Sequence, residues 1–393
     1  MKQTLWADKR QPRINRYSIH LWICIVDGFR PHDTIETGTC LETHSQKMNQ
    51  ASMLEAQVYN KKHMGVRGLT GWIRWAAPQT IKEPVWADMK GKKIGIDVLG
   101  FLYKAKAHHQ SIFTYLGKLI VRFKQYGIIP VPIFDGKPPE EKRETLKQRA
   151  TLRIESDAKK KTLASDMDTV PMSEIQKSIV QTELAILEHN SSYLTSEERD
   201  QAKQLFYACG VLFLNATGEA DNVLSYFAKR EEFVAVISND LDLIARGVET
   251  LLVPDDYALP GDKSGWKQYN LSNILTTVNF DYKQFLEMCV LMGCDYTAGN
   301  KTMAYKSAFW AIKYRGSLEK TLYKLGITDI TPYMKAMEIL QGVHETPESL
   351  LGEKQWMRWA TGVPGIEKEA LEIFRKVELH GLTEEEYCLL QNV

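Results

Sequence analysis

Val234-Ala235-Val236-Ile237-Ser238-Asn239-Asp240-Leu241-Asp242 is a short apolar run that ends on two carboxylates. Its length and β-branched content read as a buried strand rather than a helix. Two further runs finish the same way: Ile94-Gly95-Ile96-Asp97 and Val131-Pro132-Ile133-Phe134-Asp135. In open α/β sheets ligands bind outside the carboxyl ends of the strands, so the three acidic tips are expected to converge on one crevice. A pocket crowded with carboxylates repels itself unless divalent cations sit among them. The pattern therefore predicts an α/β fold, with a mostly parallel central sheet flanked by helices, and metal-dependent chemistry on a phosphate-bearing substrate.

Composition sets the outer bounds. The 393 residues are 44% hydrophobic with a formal net charge of +1, enough apolar material for one large or two moderate domains. The near-zero total charge says nothing about partners, so local charge must decide. Lys137 to Lys161 carries Lys137, Lys142, Arg143, Lys147, Arg149, Arg153, Lys159, Lys160 and Lys161, only partly offset by acids. The six cysteines form no CxxC pair and no zinc-ligand spacing with histidine, which suits a reducing compartment and thiols that mostly pack. The run Ile19 to Val26 is short and interrupted by His20, and no stretch approaches the length of a membrane span. A soluble intracellular protein with no membrane partner is expected, as a monomer.

Residues 1–63 mix polar types without a sustained period and are expected to be a weakly ordered extension. From Met64 the pattern alternates between α and β, giving a first region over 64–139: a helix at Gly68 to Ala76, the Asp97 strand, a helix from His109 to Gln125, and the Asp135 strand. Residues 140–200, rich in Lys, Glu, Gln and Ala, read as two or three exposed helices projecting from the sheet. The alternation resumes over 201–284, with a helix from Ala202, a strand Val211 to Leu214, a helix Ala220 to Lys229 and the third acid-tipped strand. Residues 285–330 read as helix, turn with Gly299, helix, and 331–393 as further helices punctuated by Pro332, Pro347 and Pro364.

The acids at element ends are Asp97, Asp135, Glu219, Asp221, Asp240, Asp242 and Asp295. Glu219 and Asp221 open a helix after Thr217-Gly218, where both carboxylates can face a cation. The two-residue spacing of Asp240 and Asp242 is expected to put both on one side of an extended backbone. Each acid alone is an ordinary cap or solvated strand end; the recurrence at strand ends is what points to metal. Two Mg²⁺ ions roughly 3.5–4 Å apart would suit phosphodiester hydrolysis, activating a water and stabilising the leaving oxygen, with Mn²⁺ as a substitute.

The ordered set of motifs resembles the flap endonuclease family, the structure-specific nucleases related to xeroderma pigmentosum G-type proteins. Met64-Gly65-Val66-Arg67-Gly68-Leu69 is similar to the family's start, and Ile96-Asp97 to its first metal-site strand. Phe134-Asp135-Gly136-Lys137-Pro138-Pro139 is close to the second. Gly218-Glu219-Ala220-Asp221 stands where the family has Glu-Ala-Glu, and Asn239-Asp240-Leu241-Asp242 and Gly293-Cys294-Asp295-Tyr296 resemble the remaining acidic motifs. The resemblance runs from about Met64 to Lys320.

It implies a PIN-like flap-nuclease fold with a helical arch and a helix-turn-helix DNA-binding element. It implies that Asp97, Asp135, Glu219 and Asp221 serve mainly one metal and Asp240, Asp242 and Asp295 the second. Lys142 and Arg149, two helical turns apart, fall on the basic pair that contacts the scissile phosphate, Tyr103 on an aromatic residue that stacks a displaced base, and Gly65 near DNA. The 140–200 helices would be the arch threaded by a single-stranded 5′ end. The implied activity is 5′ flap cleavage with 5′-to-3′ exonuclease activity on flapped or branched DNA, in replication or repair. Asp97 and Asp240 are the expected centre of catalysis.

Departures from the family pattern qualify this. The family's Gly-Ile-Gly turn, which binds a monovalent cation and duplex phosphate, is Thr302-Met303-Ala304 here, so close backbone approach is harder. Lys301, Lys306 and Lys313, with Lys137, are the replacement cations for DNA. The Gly362 to Ile366 turn is only faintly like a phosphate-binding hairpin. The carboxyl end shows no glutamine-to-paired-aromatic peptide, so the resemblance supplies no sliding-clamp partner. The 63 leading residues are expected to be dispensable, with protein starting at Met64 at least as active. A nucleus and a cytoplasmic replication site both fit. The rivals are an exonuclease or junction-cleaving relative, a catalytically silent DNA-binding relative, and, more remotely, a phosphatase with Asp240 as nucleophile, for which the following residues are wrong.

Overall fold

Alternate side chains of the apolar runs enter two different cores, and this fixes the layers. The computed structural model describes residues 65–361 apart from 108–110, 139, 141–142, 170–172, 192–193, 256–257, 263–264, 298 and 300–302. Backbone contacts divide the chain into Met1–Lys61 and Lys62–Val393, and every described residue belongs to the second unit. The expected extension over 1–63 and the Gly362 turn lie outside the described residues.

Six strands form one sheet: β1 (Lys93–Asp97), β2 (Ile129–Phe134), β3 (Leu214–Asn215), β4 (Ala235–Ile237), β5 (Thr250–Pro254) and β6 (Trp266–Asn270), in the order β3-β2-β1-β4-β5-β6. All neighbours run parallel except β5 and β6, which are antiparallel. Ile96 lies opposite Pro132 on one side and Ile237 on the other. The prolines of β2 are tolerated because β3 pairs only with Ile133 and Phe134, so at Pro130 and Pro132 that side of β2 is an unpaired edge needing no N–H. Strand order reverses between β1 and β4, the switch point at which an open α/β sheet leaves a crevice.

On one face Ile94, Ile96, Phe134, Ala235, Ile237 and Leu252 meet α2 (Val98–Ala107), α3 (Ile112–Gln125) and α6 (Ser196–Ala208). On the other, Val131, Ile133, Val236 and Leu251 meet α1 (Leu69–Ala76), α7 (Ala220–Lys229), α8 (Asp242–Ala245), α9 (Leu271–Val278) and α10 (Tyr282–Met292). Gly95 permits this second contact, since a Cβ there would stand 2.7 Å from side chains of Leu224 and Phe233. Beyond α10 come α11 (Tyr305–Arg315), α12 (Leu318–Lys324), α13 (Thr331–Gln341), α14 (Pro347–Leu351) and α15 (Glu353–Thr361). Pro332 and Pro347 sit in the first turns of α13 and α14, where a missing N–H costs nothing.

The region 140–200 contains α4 (Arg143–Thr169) and α5 (Glu174–Ser191), which pack on each other, and the start of α6. Lys159 lies 2.6 Å from Glu183 across the pair and Lys161 2.8 Å from Asp157, so part of the basic stretch is already matched by acids. Helix, turn and helix follow as expected at α10, Gly299 and α11.

Several expectations shift. Helix α2 was not expected, because Val98 to Ala107 follows β1 with no breaker between them. The 211–214 strand shortens to Leu214–Asn215, and β5, β6 and α9 are additional. No described helix is long and apolar enough to cross a membrane.

Candidate active site

Asp97 closes β1, and β4 next to it ends at Ile237, followed by Ser238. The buried Ser238 hydroxyl donates to Asp97 Oδ2 at 2.9 Å and accepts from the Asp240 amide at 3.0 Å. The Asp242 amide in turn donates to Asp240 Oδ1 at 2.9 Å. This differs from the extended pair expected from the spacing. Leu241 is in the right-handed helical region and Asp242 already begins α8, so Asp240 acts partly as a cap and only Asp242 is fully turned inward, 7% exposed.

Asp135 follows β2, and its Oδ1 accepts from the Ala220 amide at 2.6 Å, at the start of α7. A carboxylate there meets unsatisfied N–H groups and the positive end of the helix dipole. Glu219 is the N-cap position of α7 and Asp221 lies in its first turn, as the sequence indicates. The two loops are locked together: Gly136 N–H donates to Gly218 O at 2.7 Å and Lys137 N–H to Thr217 O at 3.0 Å. A Cβ on Gly136 would lie 2.5 Å from the Thr217 carbonyl oxygen, so only glycine allows the approach.

Asp295 stands in a tight turn closed by mutual backbone bonds between Cys294 and Thr297. Its Oδ1 accepts from the Gly65 amide at 3.0 Å, while Val66 N–H donates to Asp242 Oδ1 at 2.5 Å. Gly65 has φ +88° and is buried, so its amide fixes Asp295 while that of its neighbour Val66 fixes Asp242.

The acids feel one another strongly. Burial, and then the charges of Asp221 and Asp135, push the Asp97 carboxyl up to about 7. Burial raises Asp242 to about 6; Asp295 and Asp221 add to this, while the Val66 N–H and Arg246 oppose it. Asp221 therefore interacts with both sub-clusters. An all-oxygen donor set that destabilises its own anions fits hard divalent cations. Among the described residues no three acidic, histidine or cysteine side chains are arranged to enclose an ion.

The cationic and aromatic candidates are more scattered. Lys137 is exposed beside the Asp135 loop. Lys306 is exposed on α11, its ammonium 5.2 Å from the Trp75 ring centroid. Lys313 donates to the carbonyls of Val278 and Asn279 at 2.7 and 2.8 Å, capping α9. Tyr103, on α2, is half-buried and packs on the core shared by α2 and α3. Arg149 lies on α4, and Lys142 and Lys301 lie outside the described residues.

Three residues at the site were not anticipated: Ser238, Tyr296 and Arg246. Ser238 is a small polar residue directly after a buried strand, which is a usable signal. Arg246 breaks the apolar run Leu243-Ile244-Ala245, and Tyr296 adjoins Asp295.

The XPG N-terminal domain matches residues 64–156 and the XPG I-region residues 210–295, and the two segments carry all seven acids. The chain thus carries an XPG N-terminal domain and an XPG I-region. It is 27% identical over 308 residues to flap endonuclease 1-A of Sorghum bicolor, covering 71% of this chain and 75% of that one. It is 28% identical over 273 residues to flap endonuclease 1 of Salmo salar, covering 66% and 68%. The fold is shared with the catalytic core of Rad2 in complex with DNA substrate (TM-score 0.50, 18% identity, 79% of this chain and 98% of that one). It is shared equally with human GEN1 in complex with Holliday junction DNA (TM-score 0.50, 13% identity, 83% and 77%). The family resemblance and the flap-nuclease fold expected from the motifs are borne out.

Proposed function

We propose that this chain is a Mg²⁺-dependent structure-specific nuclease that cleaves DNA at the base of 5′ flaps, with 5′-to-3′ exonuclease activity, in replication or repair. The observation that carries the reading is the meeting of acids from β1, the β2 and β4 loops, α7 and the Asp295 turn at the switch point of the sheet, in a chain similar to proteins named flap endonuclease 1. Asp97, Asp135, Glu219 and Asp221 would hold one Mg²⁺, and Asp240, Asp242 and Asp295 the other, with Mn²⁺ able to replace them. Bound there, such ions supply an activated water and charge stabilisation of the leaving oxygen.

The chain's own residues set up the rest. Ser238, the α7 amides and the Gly65-Val66 amides each occupy one oxygen of a carboxylate, which fixes how the acids are turned. Lys142 and Arg149, from the basic stretch, are assigned to the scissile phosphate, and Lys137 and Lys306 to the DNA backbone. Helices α4 and α5 form the arch for the single strand. An arch that admits only unpaired ends, over metals that reach only an unpaired nucleotide, selects junctions by shape rather than sequence.

The test is cleavage of labelled double-flap DNA beside a recessed-end duplex and a four-way junction, with and without Mg²⁺, using the protein and Asp240→Ala. A flap-length product from the unsubstituted protein alone, and only with Mg²⁺, is expected. Mononucleotides from the recessed end would move the assignment to an exonuclease, junction cuts to a resolving relative, and binding without cleavage to a silent relative.

A further inference from the structure

A fully buried arginine is expensive unless its charge and its donors are both satisfied. Arg246 is 2% exposed and follows α8, the helix that opens with Asp242. Its Nη2 donates to the Tyr296 hydroxyl at 2.6 Å, and that hydroxyl donates to Glu219 Oε2 at 3.0 Å. The same Nη2 lies 3.9 Å from Glu219 Oε2. On its other side Nη1 donates to the Ile339 carbonyl of α13 at 3.4 Å. Burial works against the Arg246 charge, but Tyr296, Asp221, Glu345 and Glu219 outweigh it and hold the guanidinium firmly cationic. Lys229 is the other cation drawn to Glu345 here.

The geometry points to Arg246 as a positioning residue of the metal site: through the Tyr296 hydroxyl it holds the Glu219 carboxylate at the crevice and braces that carboxylate against the carboxyl-terminal helices. The inference rests on the metal assignment made above. Four elements meet at this one side chain: α8 with Asp242, the turn with Asp295 and Tyr296, the N-cap of α7 with Glu219, and α13. The Glu219 loop is held from the same side by the Thr217 amide, which donates to Leu350 O at 2.8 Å. The helices after residue 331 thus reach the acids without supplying one. A tyrosine hydroxyl that accepts from one group and donates to another fixes its carboxylate partner in direction as well as distance, which a diffuse charge does not.

The variants separate position from charge. Tyr296→Phe removes one oxygen and leaves the ring and the Arg246 charge; Arg246→Lys keeps the charge and loses the fork that reaches both Tyr296 and Ile339. Mg²⁺ and Mn²⁺ titrations of the whole chain, by calorimetry and by the metal-induced shift of the melting curve, are read beside the metal-free melting temperature. The expected result is about a tenfold weaker cation midpoint for both variants, the size typical of losing an outer-shell partner of a metal ligand, with cleavage restored at high metal. A lowered metal-free melting temperature with unchanged cation midpoints would reduce Arg246 to a structural role and overturn the inference. A silent Arg246→Lys beside an affected Arg246→Met would also overturn it, leaving charge alone. If the cation midpoints move but the unsubstituted protein cuts no flap, the positioning role stands and the flap assignment falls; if the unsubstituted protein binds neither cation, both fall.

Discussion

Replacing Gly65 with alanine tests whether the acids are held by the backbone that precedes α1. Gly65 has φ +88°, a region that costs an L-residue about 1–2 kcal/mol. The added Cβ would also lie 2.7 Å from Asp242 Cγ, so the carboxylate must turn away and give up the Val66 N–H. A hydrogen bond to a charged group contributes about 1.5–3 kcal/mol, and together with the backbone cost the losses reach roughly 2.5–5 kcal/mol. At about 2–4 °C per kcal/mol for a domain of this size, the metal-free melting temperature should fall by roughly 5–20 °C. Gly68→Ala is the control: its φ is +74°, so the backbone cost is similar, but its Cβ meets the Tyr305 ring at 3.3 Å and no carboxylate. Thermal melts of both variants with and without Mg²⁺ should show a weakened metal-induced shift for Gly65→Ala alone. An unchanged melt for Gly65→Ala, or an equal loss of metal response in Gly68→Ala, would refute the argument.

Other outcomes follow from the same contacts. Because Asp97 and Asp242 are raised to about 7 and about 6, the folded chain holds protons that the unfolded chain has lost above about 4. The metal-free protein should therefore lose stability as pH rises from about 4 to about 7, and Asp97→Asn should flatten that slope in melts recorded with a chelator. Mg²⁺ competes with those protons, so its stabilising effect should grow across the same window. Gln355→Ala removes a side chain that accepts from the Asn215 amide at 3.0 Å and donates to the Asn215 carbonyl at 2.7 Å, completing the short edge strand; a loss of about 1–3 kcal/mol by denaturant melting is expected. Lys306→Gln should reduce the salt slope of DNA binding by about one, whereas Lys313→Gln should destabilise α9 and leave that slope unchanged.

What the sequence discloses and what it hides divide along the range of the interactions. Strands β1, β2 and β4 and helix α7 are legible because each pattern is local: apolar runs of strand length, acids at their ends, a cap before the helix. Helix α2 is hidden because no turn separates Val98 from Asp97 at the end of β1, and Gly100 in its first turn argues locally against a helix. The pairing of Asp240 with Asp242 is misread for a related reason, since the two-residue spacing fits either an extended backbone or a cap and the first turn of a helix. Arg246 is the extreme case. Its local setting, a charge after Leu243-Ile244-Ala245, reads as the end of a helix facing water; only Tyr296, Glu219, Ile339 and Glu345, up to 99 residues distant in sequence, make it an interior cation. The acids of the site can be found from sequence because each is placed by its own element. The groups that aim them cannot, because aiming is done by elements far away in the chain.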